Sequence, residues 1–175
     1  MDKKTPDKKT LIEMQVTGLT IDPFTSMPIV ILKDAAEKYA LPIWIGLIEA
    51  SAIATELEKI QLSRPMTHDL LKGILEQVEV IVEKVLISDI SDNTFYAQIF
   101  FKTKEKSFTM DARPSDAIAL ALRTKSPIFV EKAVIDKSRK IDLSKEGAGS
   151  EGAKQQKWAE ILENLTPEDF GKYKM

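Results

Sequence analysis

The run Asp111-Ala112-Arg113-Pro114-Ser115-Asp116 gathers two carboxylates, a guanidinium and a hydroxyl into a few residues. Carboxylates so placed suit a hard divalent cation, and an arginine beside them suits a phosphate. Arg64-Pro65-Met66-Thr67-His68-Asp69 repeats the theme and adds the chain's single histidine. Glu49 is a further acid, at the start of another apolar segment. On this chemistry Asp111, Asp116 and Glu49 are the candidate ligands of Mg²⁺ or Mn²⁺. Arg113 and Arg64 are the candidate phosphate clamps, with Ser115 and Thr67 as substrate contacts. His68 is the candidate proton carrier, and Asp69 beside it is a further candidate catalytic residue. Each residue also has a plain structural reading. An acid in a helix's first turn answers the dipole, and a proline there answers the missing N–H. Arg113 paired with Asp111 or Asp69 braces two helix starts, Glu49 pairs with an arginine, and a lone histidine orients a turn.

The elements that position these groups follow from periodicity. Pro114 fits a first helical position, and Ala117 to Leu122 is apolar throughout, so a helix there is buried on every side. Thr67 reads as the N-cap of a helix over 67–78, with Leu70, Leu71, Ile74, Leu75 and Val78 as its stripe. A third helix is predicted from Leu47 to Leu62, with Ala50, Ile53, Ala54, Leu57 and Ile60 on one face. Strands are predicted at Thr10–Thr17, Met27–Leu32, Leu41–Ile45, Val80–Ile90, Thr94–Thr103, Ser107–Met110 and Pro127–Val130.

This order repeats. Ile45, Ala52, Ile53, Ala54 and Leu57 recur as Met110, Ala117, Ile118, Ala119 and Leu122, at the constant offset 110 − 45 = 65. Two β-β-β-α units are read, about 10–62 and 78–125, with the 67–78 helix between them. Short connections imply antiparallel or mixed pairing, so the fold class is α+β, a sheet packed with helices plus a C-terminal helix. By that offset Gly46 and Glu49 stand where Asp111 and Pro114 stand, so the polar corner belongs to the second unit alone.

Composition sets the outer limits. With 175 residues, 43% hydrophobic and 30% charged, the chain supports one ordinary core. A net charge of −2 argues against a basic surface that coats nucleic acid. The absence of cysteine and the single histidine exclude thiolate and multi-histidine metal sites within one chain. No Gly-rich phosphate loop occurs, and no organic cofactor is expected. No apolar run reaches membrane length, and the charged lead-in 1–9, read as disordered, precedes no signal-type core. A cytoplasmic protein with no membrane contact is expected. Residues 141–154 read as a Gly/Ser/Glu-rich linker, and 155–175 as a helical segment with Trp158, Ile161, Leu162 and Leu165 on one stripe. Trp44, Phe95 and Tyr96 are candidates for base stacking.

Four stretches in order carry a resemblance: Leu-Pro-Ile-Trp-Ile-Gly through Ala54, Arg-Pro-Met-Thr-His-Asp-Leu from Arg64, Thr94-Phe95-Tyr96-Ala97, and Asp111 to Arg123. Together, over roughly Leu11 to Glu131, the chain resembles the bifunctional nuclease family, so 10–140 is taken as one such domain. The resemblance implies a compact α+β fold, pairing as a homodimer, and hydrolysis of DNA or RNA phosphodiester bonds. The nuclease reading predicts acids converging on a cleft that takes single-stranded or loosely structured nucleic acid with a metal. A non-catalytic dimeric binding or regulatory module predicts a saturated Arg–Asp network. An enzyme on a small anionic substrate predicts a pocket too narrow for a polymer strand.

Overall fold

A computed structural model describes residues 10–143, with side chains described through Ser138. The lead-in 1–9, the linker past Leu143 and the helix expected within 155–175 lie outside the described residues. Strands β1 (Leu11–Ile21), β2 (Pro28–Lys33) and β3 (Ala40–Trp44) form one antiparallel meander. Strands β4 (Ile81–Ser91), β5 (Thr94–Lys102) and β6 (Ser107–Ala112) form a second. Strand β7 (Ile128–Glu131) joins them, antiparallel to β1 and parallel to β4. The sheet is mixed, with seven strands in the order β3-β2-β1-β7-β4-β5-β6. The two meanders therefore fan outward from β7, and β1 and β4 run in opposite directions.

Helix α1 (Leu47–Leu57) follows the first meander and α3 (Pro114–Thr124) follows the second, so the β-β-β-α order does recur. Ala117 to Ala121 of α3 are all at most 1% exposed, as an all-apolar run requires. α1 buries Ala50, Ile53 and Ala54, so both helices bring small residues to the interior. Met14, Leu32, Leu41, Ile87 and Ile135 complete the same core from the strands and from α4 (Lys132–Leu143). Helix α2 (Thr67–Gln77) packs beside α3 and has no fully buried residue. No helix among the described residues is long and apolar enough to cross a membrane.

The boundaries depart from the periodic reading for identifiable reasons. β1 runs to Ile21 because a bulge between Val16 and Gly18 shifts its register and breaks the alternation that defined it. α1 stops at Leu57 instead of continuing to Leu62. There Lys59 takes a left-handed φ of 53°, and the Ile60 N–H donates back to the Thr55 carbonyl at 3.0 Å. α2 closes the same way, with Glu79 at φ 54° and the Val80 N–H donating to the Leu75 carbonyl at 2.9 Å. Both are Schellman-type ends built without the usual glycine. Thr67 is the first helical residue and not the cap; Met66 holds the cap position. β6 continues two residues past Met110. α4 occupies residues for which no element was predicted, together with the first three of the expected linker, and is held by buried Val134, Ile135 and Ser138.

Leu120 sits wholly inside this core. Leu120→Ala should destabilise the chain by about 2–5 kcal/mol, seen as a lower urea midpoint at unchanged slope.

Candidate functional site

Three helices begin at neighbouring places, and none has a side-chain cap. Gly46, Met66 and Arg113 hold the cap positions of α1, α2 and α3. In each helix the third residue after the cap is acidic: Glu49, Asp69 and Asp116. That position is suited to the helix dipole and to reaching back toward the cap N–H. Asp69 does so, its Oδ2 accepting the Met66 N–H at 2.9 Å. Glu49 folds back over Gly46 so closely that a Cβ there would collide with its carboxylate. Counted from the caps, Glu49 and Asp116 are equivalent, and buried Ala50, Ile53 and Ala54 answer Ala117, Leu120 and Ala121. The offset that governs the helices is thus 113 − 46 = 67, not 65, and the acidic position occurs in both halves.

Arg113 ties the starts together. Its Nε donates to Asp116 Oδ2 at 2.7 Å and its Nη2 to Asp116 Oδ1 at 3.2 Å. Its Nη1 donates to Glu49 Oε1 at 2.8 Å. His68 joins from α2, with Nε2 at 3.2 Å from Asp116 Oδ1. The carboxylate accepts only, so Nε2 carries the proton and neutral His68 keeps its lone pair on Nδ1. The Asp116 hydrogen bond, with the charge of Glu49 behind it, holds Arg113 above its ordinary pKa despite partial burial. Even so, the Arg113 side chain is 66% exposed, and the cluster has an open side.

A second arginine sits beneath. Arg123, two turns after Asp116 on the same side of α3, is only 2% exposed at its side chain. Its Nε donates to Asp69 Oδ1 at 2.6 Å, and its Nη1 to the carbonyls of Ala52 at 2.9 Å and Ala119 at 3.0 Å. Burial pushes the Asp69 carboxyl up, but the bonds from Arg123 and the Met66 N–H outweigh it and hold Asp69 below the usual range. Arg113 therefore pairs with neither Asp111 nor Asp69, as the sequence suggested; it pairs with Asp116 and Glu49. Arg123 was missed. A charged residue ending an all-apolar buried helix must have a carboxylate partner, and that signal was present.

The other candidates stand apart. Asp111 lies within β6, paired in register with Gln98. Phe108 of that strand stacks on core residue Phe101 at 5.2 Å, so alternation sends Asp111 to the opposite face of the sheet. Ser115 is buried in α3, and Thr67 and Arg64 are exposed but make none of the cluster's contacts. Trp44 is exposed on edge strand β3, its indole N–H donating to Asp22 Oδ2 at 2.9 Å. Tyr96 is exposed and Phe95 packs on the core. No group of three or more His, Cys, Asp or Glu side chains among the described residues is placed to hold a metal ion. The expected trio Asp111, Asp116 and Glu49 is not gathered at one place among the described residues. Asp111 faces away, and the other two already carry a guanidinium between them.

Comparison with known proteins fits this architecture. The bifunctional nuclease domain matches residues 30–142. The chain belongs to that family. It is 35% identical over 162 residues to the uncharacterized protein MT1877 of Mycobacterium tuberculosis (strain CDC 1551 / Oshkosh), covering 90% of this chain and 97% of that protein. It is 31% identical over 120 residues to Bifunctional nuclease 2 of Arabidopsis thaliana, and 26% over 109 residues to Bifunctional nuclease 1 of Oryza sativa subsp. japonica. Those matches cover 64% and 61% of this chain, but only 36% and 33% of the plant proteins.

Arg123→Ala removes the buried member of an ion pair and should destabilise the chain by about 3–5 kcal/mol. Lysine should not restore it, because one ammonium cannot reproduce the fork that reaches a carboxylate and two carbonyls; urea unfolding of both variants checks this. Asp69 has a lowered folded pKa, so its stabilisation is present above the ordinary carboxylate value of 3.8 and is lost as pH falls below it. Asp69→Asn should be less stable at neutral pH and lose stability less steeply than wild type below pH 3.8.

Proposed function

We propose that the chain hydrolyses phosphodiester bonds in single-stranded or loosely structured DNA or RNA, at the open side of the Arg113 cluster. The observation that carries this is the solvent-facing Arg113 guanidinium, fixed by Glu49 and Asp116 and set beside a histidine oriented by the same Asp116. Arg113 is a rigid donor fork suited to a phosphate's oxygens. His68 takes a proton from the attacking water at Nδ1 while the new O–P bond forms. It returns that proton to the departing oxygen as the old P–O bond breaks. Asp116 holds the imidazole in register and steadies its charged form. Metal assistance has no support in the donor arrangement, so every step uses the chain's own groups. The small-anion reading loses ground because the cluster is open, not enclosed.

A second reading has its own observation. Glu49 and both oxygens of Asp116 already accept hydrogen bonds from Arg113, and all three acids sit where helix starts want them. A network so occupied also suits a non-catalytic binding module. Edge strand β6, with Phe108 and Met110 exposed, offers such a module a surface for homodimer pairing.

Repurified wild type, Arg113→Ala and His68→Gln decide between these, assayed on single-stranded DNA and RNA with Mg²⁺, with Mn²⁺ and with chelator. The nuclease reading expects cleavage to fall roughly 10²–10³-fold in Arg113→Ala and at least about 10²-fold in His68→Gln. It expects the stability of Arg113→Ala to change by no more than about 1 kcal/mol, because that pair is screened by solvent. Equal residual cleavage in all three proteins assigns the activity to a contaminant and leaves the binding module.

A further inference from the structure

Two apolar stripes stand out, one exposed on the described surface and one in the sequence. On α2 and its cap, Met66, Leu70, Ile74 and Val78 recur at every fourth residue, and each is at least half exposed. Side chains four apart line one face of a helix, and a continuous aliphatic strip of this size marks a contact surface. Gly73 borders the strip, and a Cβ there would meet nothing within 4 Å, so the helix has a notch beside its exposed leucine and isoleucine. The second stripe is in the sequence beyond α4. Trp158, Ile161, Leu162 and Leu165 fall at the i, i+3, i+4, i+7 spacing of a helix that presents one apolar face.

We propose that residues 155–165 dock as a helix along the exposed face of α2 in the same chain, with the Trp158 indole as the anchor at the Gly73 notch. The lengths agree. Leu70 to Val78 spans about 12 Å and Trp158 to Leu165 about 10.5 Å at the helical rise. The chain reaches. α4 ends at Leu143, and the eleven residues 144–154 extend to at most about 36–40 Å. A body of this size has a radius of gyration of about 14 Å, so that span covers a large share of its surface. Each partner also needs the other. An isolated helix of this length is marginal in water, and α2 has no fully buried residue of its own. Tethering favours this occupant over a second copy, because a linker of this length gives an effective concentration on the order of millimolar.

The chain has no cysteine, which makes the test direct. Full-length Ile74→Cys/Ile161→Cys and Leu70→Cys/Leu162→Cys proteins would be treated with a short bis-maleimide and read by intact mass and denaturing gel. Docking within the chain predicts an internal bridge at monomer mass in both pairs. It also predicts that Gly73→Glu, which fills the notch with a charge, speeds tryptic cleavage at Lys157 about tenfold or more. Bridging of two copies by Ile74→Cys alone would give the α2 face to a second molecule. A 74–161 bridge found only between chains, or none in either pair, would equally overturn the proposal.

Discussion

One buried guanidinium ties α1, α2 and α3 together. Arg123 belongs to α3, binds the Asp69 carboxylate of α2 and donates to the Ala52 carbonyl of α1. α2 depends on it most, because that helix leaves Leu70, Leu71, Ile74 and Val78 exposed and cannot be placed by burial alone. A charge so deep in the fold is tolerable only when its donors are satisfied, and here Nε has a carboxylate and Nη1 two carbonyls. The ion pair therefore sets the angle at which α2 leaves the body, and with it the position of His68.

Arg113 repeats that wiring one layer out. It too links α1 to α3, through Glu49 and Asp116, and reaches α2 through the bond from Asp116 to His68. The difference between the two arginines is solvent, at 2% against 66% side-chain exposure. The inner one spends all its binding capacity on the fold. The outer one is fixed by the fold and still faces out. An exposed arginine held by two carboxylates on two helix starts is a preorganised donor, and it has the inner pair as its support.

Much of the architecture was legible because burial writes strong periodic signals. The apolar run of α3 and the two meanders were read with the right order and type. The end of α1 was not, because Lys59 holds a left-handed position where a glycine signals a stop. α4 was hidden by its charges, since only Val134, Ile135 and Ser138 mark its inner side. At the site, Asp116, Glu49, Arg113 and His68 were read as candidates and do converge. Asp111 was misplaced by two residues of strand: once β6 extends to Ala112, alternation sends its carboxylate to the other face. Arg123 differs from these in place: it stands at a helix end, and its role depends on the buried run before it.

The chain's single histidine allows a direct measurement at the cluster, because its ring gives one set of imidazole resonances. A short single-stranded oligonucleotide titrated into the full-length protein at fixed pH should shift the His68 signals saturably, and the shift should be lost or greatly weakened in Arg113→Ala. Unmoved His68 signals at saturating oligonucleotide, or an equal shift with and without Arg113, would contradict the view that this open cluster receives a phosphate.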